Sequence, residues 1–197
     1  MRPAFVPQTA YIHPKVTGDM VRYFEWMGAA AHTADQRAGA MHGKQFLLDA
    51  IHAGIDENFL YGRVDFTGGV PAGTYSLVVN IECRPDEDAV GIRHLRLDAD
   101  FTDGQLRNWS LNGGSEEPPL ASSTKPDEMV RIALAKNFEF CVPLAWLSAY
   151  LATPASRTKP KTLRLRFSLW QNRMPVDALP VEGWLELALV GEGELMG

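Results

Sequence analysis

Two of the five tryptophans stand opposite an apolar face of their own strand, and that placement is the first chemistry this sequence offers. From Thr162 to Trp170, Leu163, Leu165, Phe167 and Leu169 alternate with Arg164, Arg166, Ser168 and Trp170. From Trp184 to Leu189, three leucines alternate with Trp184 and Glu186. Successive strand residues point to opposite faces, so both indoles are directed away from the core that the leucines form. A flat indole can stack on the apolar C–H face of a pyranose while neighbouring polar groups bond its hydroxyls. If the strands pair as a hairpin with residue 170 opposite residue 184, the two rings lie side by side as one platform. The alternative is that both are covered by the stretch from Gly28 to Gly43 or by residues 171–183, and only close the second face. Trp109, beside Asn108 and before Asn112-Gly113-Gly114, is a third binding candidate. Tyr23 and Trp26 are further candidates, although with Phe24 they fit no single strand face, and such a cluster is more often the plug at one end of a sandwich than a ligand site. Trp146, after Pro143, reads as core.

Other reactive side chains lack the company that chemistry needs. His32, His42 and His52 are evenly spaced but fall on different elements, which creates no common metal-binding face. Asp98, Asp100 and Asp103 before Gly104 superficially resemble an oxygen-rich calcium loop, yet their offsets do not match the EF-hand pattern. No Gly-x-Ser-x-Gly elbow, P-loop or His-Glu-x-x-His occurs, and Gly191-Glu192-Gly193 has no following helix to hold a phosphate. Catalysis is not expected. Cys83 and Cys141 are too few for a structural zinc site and read as two buried free thiols, with one disulfide as the alternative.

With 197 residues, 46% of them hydrophobic and 22% charged, the chain can build one sizeable core. A net charge of −5 argues against a phosphate-tracking surface, and so against a nucleic-acid partner. No apolar run nears the roughly 18 residues of a membrane span. The first eight residues lack the apolar stretch of a secretory signal, which leaves the compartment open with the cytoplasm favoured.

Period-two alternation positions the candidates. Tyr75, Leu77, Val79 and Ile81 alternate with mostly polar neighbours, and Leu95, Leu97, Ala99 and Phe101 alternate with His94, Arg96, Asp98 and Asp100. Phe46 to Ile55 and Phe59 to Phe66 flank the turn-forming Asp56-Glu57-Asn58, and Asp103-Gly104 marks another turn. Pro143 opens a short helix through Leu147. Residues 1–18 read as an extended lead-in segment and 112–127 as an exposed loop. With no βαβ alternation, the pattern predicts an all-β fold, an antiparallel β-sandwich of about eight to ten strands with at most two short helices. Its expected core holds Leu77, Val79, Ile81, Leu95, Leu97, Phe140, Leu165, Phe167, Leu185 and Leu187.

The order Ile12-His13-Pro14, Gly18, Tyr23-Phe24-Glu25-Trp26-Met27-Gly28-Ala29, Gly39-Ala40-Met41-His42 and Leu60-Tyr61-Gly62-Arg63-Val64-Asp65 resembles the C-terminal β-sandwich module of some glycoside hydrolase family 57 proteins. Leu165 to Trp170, Met174-Pro175-Val176-Asp177, Leu179-Pro180 and Glu182 to Leu187 are similar to the close of that module. A looser likeness reaches the C-terminal domain of glucodextranase and family 9 carbohydrate-binding and DOMON-like modules, which belong to the immunoglobulin-like sandwiches. The resemblance implies a non-catalytic accessory module that binds an α-glucan-type polysaccharide or oligosaccharide beside a glycoside hydrolase catalytic domain. It implies no cofactor, except that family 9 modules often hold calcium. Such modules are usually attached to a catalytic barrel for which 197 residues leave no room. The alternative function is a structural or protein-interaction sandwich with no sugar site.

Overall fold

In the computed structural model, residues 5–19, 24–34, 46–84, 93–113, 118–151 and 162–195 are described. Tyr23, His42 and residues 35–43 of the Gly28–Gly43 stretch lie outside them. Every segment with the two-residue period is a strand. The first half holds β1 (Phe5–Val6), β2 (Ala30–Thr33), β3 (Leu48–Ile55), β4 (Phe59–Phe66), β5 (Thr74–Arg84) and β6 (Arg93–Thr102). The second holds β7 (Gln105–Asn112), β8 (Ala121–Ser122), β9 (Arg131–Leu134), β10 (Phe138–Pro143), β11 (Thr162–Gln171), β12 (Met174–Leu179) and β13 (Leu185–Ala188). Two short helices, α1 (Leu144–Leu151) directly after Pro143 and α2 (Glu192–Leu195), complete the described elements. No described helix is long and apolar enough to cross a membrane.

All pairings are antiparallel. One sheet runs β1-β2-β3-β4-β10-β9, and the other runs β12-β11-β5-β6-β7-β8 with β13 also paired to β11. The leucine faces of the second sheet meet Leu48, Ile51, Leu60, Val64, Phe138 and Phe140 of the first in one continuous buried layer. All ten expected core residues lie in it, none more than 1% exposed. At its centre Phe140 of β10 faces Gly62 of β4, and a Cβ added to Gly62 would fall 2.2 Å from the Phe140 ring. Only glycine admits that ring. Burying such a row of Phe, Leu, Ile and Val side chains, each worth about 1.5–3 kcal/mol, is what holds the two sheets face to face.

The strand count is thirteen among the described residues, above the eight to ten expected. β2 falls inside the Gly28–Gly43 stretch, where the small residues Ala30 and Ala31 disguised it. β8 interrupts the expected exposed loop 112–127, since Ala121 pairs with Leu111 and both are fully buried. β12 occupies residues expected only to cover the tryptophans. It is an edge strand, which is where Pro175 can sit without breaking a ladder.

The lead-in segment packs on the outer face of the first sheet. Ile12, Trp26 and Ala29 form a second small cluster there with Tyr61 and Cys141. Cys83 belongs instead to the layer between the sheets, so the two buried thiols cannot pair and both are free. Burial pushes the Cys83 thiol up to about 12 and raises that of Cys141 as well.

Candidate functional site

The outer face of the second sheet is partly exposed among the described residues over the start of β5, β6 and the end of β11, although Val78 at its centre is buried. In its register Trp170 neighbours Ser76, which neighbours Asp100, while Ser168, Val78 and Asp98 form the adjacent row. The Trp170 Nε1–H donates to Ser168 Oγ at 2.9 Å. That bond reaches two residues back along one face, so the indole leans along the sheet instead of standing upright. Trp170 is partly exposed and borders a recess of about 320 Å³.

Polar groups around the ring are arranged by the ladder. Asp98 accepts from Arg96 Nε at 3.0 Å and from Arg96 Nη2 at 3.0 Å, a pairing of both oxygens set by their position two residues apart on one face. Ser76 Oγ donates to Asp100 Oδ1 at 2.5 Å. At the rim, Gln171 pairs with Met174 across the two-residue turn Asn172-Arg173, whose φ values are 52° and 62°. Positive φ at both central positions defines a type I′ turn, which normally takes Asn-Gly. Arg173 occupies the glycine position, and its guanidinium has no hydrogen bond or ion pair among the described residues. An aromatic face, hydroxyl and amide groups, and a charged pair together fit a polyhydroxylated ring.

Of the other expected binding residues, the described ones, Trp184, Trp109 and Trp26, do not join Trp170. The proposed 170–184 pairing does not form, because Trp170 faces Pro175 of β12 whereas Leu185 faces Leu165 at the other half of β11. Arg164 lies over the Trp184 ring, 4.9 Å from its centroid, so a guanidinium already fills one stacking face. Trp109 pairs with Ala99 in the ladder and therefore points to the inner side, where it packs on the core. Its shared parity with Leu111, which the sequence shows, could have told as much. Trp26 is only 6% exposed and is a packing residue. Trp146 packs on the core, as its position after Pro143 suggested.

Trp26 instead roofs a polar network on the outer face of the first sheet. The Arg63 guanidinium lies 5.1 Å from the Trp26 ring centroid and donates through Nε and Nη2 to the Asp65 carboxylate, each at 2.9 Å. His52 Nε2 sits 2.8 Å from Arg63 Nη2 and 3.3 Å from Asp65 Oδ2. Burial would raise the Asp65 carboxyl, but the bonds from His52 and Arg63 outweigh it and hold the group below its ordinary range. Nearby Glu139, 2% exposed, accepts from the Thr17 and Gly18 amides, and burial pushes its carboxyl upward. These contacts fasten the lead-in segment and give the Tyr61-Gly62-Arg63-Val64-Asp65 run a structural role.

Asp98 and Asp100 are engaged as described, and Asp103 accepts from the Gly73 amide at 2.8 Å, so the three carboxylates do not converge as a calcium loop would require. Among the described residues, His13, Asp56 and Glu57 bring possible ligand atoms within 4.8 Å of one another. Asp56 already accepts from Asn58 N, Phe59 N and Tyr61 Oη, and with His13 and Glu57 exposed the group suits a capped turn better than a metal. His32 and His52 lie on opposite faces of the neighbouring strands β2 and β3. No protein-family profile, curated protein or solved structure matches the chain.

Proposed function

We propose that the chain is a non-catalytic carbohydrate-binding sandwich that holds an oligosaccharide on the outer face of its second sheet. The observation that carries this reading is the partly exposed Trp170 indole, laid along the outer strand face by its bond to Ser168 and bordering a recess lined by Ser76, Val78 and the Arg96–Asp98 pair. Such a ring receives the C–H face of a sugar, while Ser76, Gln171 and Asn172 offer donors and acceptors for its hydroxyls. An α-glucan is the first ligand to test, because the motifs at both ends of the chain resemble modules of starch-acting enzymes. The same resemblance places a glycoside hydrolase catalytic domain as the partner.

Affinity electrophoresis in a gel containing soluble starch tests the proposal. The wild-type protein should be retarded, and Trp170→Ala should weaken binding by about 1–3 kcal/mol, the scale of base stacking on aromatic side chains. Trp184→Ala should leave retardation intact. Equal retardation in gels with and without glucan, for every saccharide tried, would sink the proposal.

A second reading, an interaction module, is favoured by one feature. Met174 and Val176 are 65% and 44% exposed on the edge strand β12, and Val181 just after it is 52% exposed. If these side chains pack on a partner domain, Val176→Asp should abolish that association and leave saccharide binding unchanged.

A further inference from the structure

The turn at the rim of the recess is built against its own conformational preference. Glycine is the usual residue at the second position of a type I′ turn because a side chain at positive φ crowds the backbone. Here Arg173 holds φ 62° at that position. Residues kept in sparsely populated conformations cluster at ligand clamps and other functional sites.

The charges around the recess show what that contact would be. Its charged lining residues are Arg96, Asp98 and Arg173, and Asp98 is closed into a two-point pair with Arg96. Arg173 is therefore the charged lining residue with no ion pair among the described residues. Asp100 borders the recess through Ser76, on the side away from the Asn172-Arg173 turn. It also shares its charge with the Ser76 hydroxyl. An anionic group at the turn end would meet Arg173 before it met Asp100.

Resting on the reading of Trp170 as a sugar platform, the geometry points to Arg173 as the specificity residue of the same site, selecting saccharides that carry a carboxylate beside the stacked ring. The planar guanidinium fits a carboxylate through two parallel hydrogen bonds, a pairing that a neutral glucan cannot supply. A neutral α-glucan would still stack on Trp170 and bind more weakly.

The test compares an α-linked hexauronate with maltohexaose by isothermal titration calorimetry, using the full chain and Arg173→Gly. The wild type should bind the hexauronate about tenfold more tightly than maltohexaose, and that preference should shrink as salt is raised from 50 to 500 mM. Arg173→Gly should bring hexauronate affinity down about tenfold, to the level of maltohexaose, and raise Tm by about 1–3 °C as the turn relaxes. A purely structural arginine would not produce loss of one ligand together with gain in stability. Equal affinity for the two saccharides, or a preference that survives Arg173→Gly, would overturn the inference and leave the platform reading standing. Failure of both saccharides to bind would remove the platform reading itself, and the inference with it.

Discussion

Gly62→Ala adds one methyl group at the most crowded point between the sheets. The new Cβ would lie 2.2 Å from Phe140 Cε1 and 2.3 Å from Cζ, whereas carbon pairs are comfortable at about 3.5–4.0 Å. The ring would have to retreat by roughly 1.3 Å or more to restore that spacing. It has little room to do so, being fully buried, with Phe138 at 6.2 Å and Phe167 at 6.4 Å between ring centroids. Overpacking of this kind costs about 1–3 kcal/mol. Alanine in a strand recovers about 0.5–1 kcal/mol of backbone entropy relative to glycine, so the clash prevails and the net loss should be about 1–2 kcal/mol. Urea unfolding should show a lower midpoint with an unchanged slope. Phe140→Leu would shorten the obstructing ring. In Gly62→Ala/Phe140→Leu the two losses should therefore combine to less than their sum, by about 1 kcal/mol or more. Equal or greater stability for Gly62→Ala, or strictly additive losses in the double variant, would refute the packing argument.

Asp65→Asn should destabilise the fold by about 2–3 kcal/mol at neutral pH, because it leaves the nearly buried Arg63 without its paired charge. Since the folded-state Asp65 carboxyl titrates below its unfolded value, its stabilising contribution is complete above the ordinary pKa of about 3.9 and drains as pH falls through the folded value. Acid unfolding of Asp65→Asn should accordingly be shallower than that of the wild type below about pH 4; the same slope in both would contradict the assignment. Cys83 and Cys141 should resist alkylation at pH 8 in the folded protein and react fully in denaturant, as buried thiols with raised pKa do. Rapid native labelling of Cys83 would show that the layer between the sheets opens.

Strand parity made the faces legible but not the pairings. The alternation in 162–170 and 184–189 correctly turned Trp170 and Trp184 outward, because side-chain direction depends only on local period. Their separation depends on what residues 171–183 do. Met174-Pro175-Val176 has no clean alternation, and a bulge between Leu169 and Trp170 shifts the register, so neither β12 nor the tight turn at Arg173 announced itself. Trp109 is partly exposed, as expected, and its inward direction could have been read from its shared parity with the buried Leu111. Trp26 was not legible in that way. It lies in an irregular segment whose burial depends on sheet residues, His52 and Arg63, that are distant in sequence. The turn chemistry of Asp103-Gly104 was readable because both residues tolerate the positive φ that they adopt, 49° and 76°.

The account stands most directly on what Trp170 touches. Its indole N–H can be followed by two-dimensional NMR while maltohexaose is added, with the resonance assigned from its absence in Trp170→Phe. The Trp170 signal should move progressively and saturate, while that of the buried Trp26 stays in place. A saturating shift at another tryptophan with none at Trp170, or no shift at any indole with either maltohexaose or the hexauronate, would contradict the assignment of this face as the binding site.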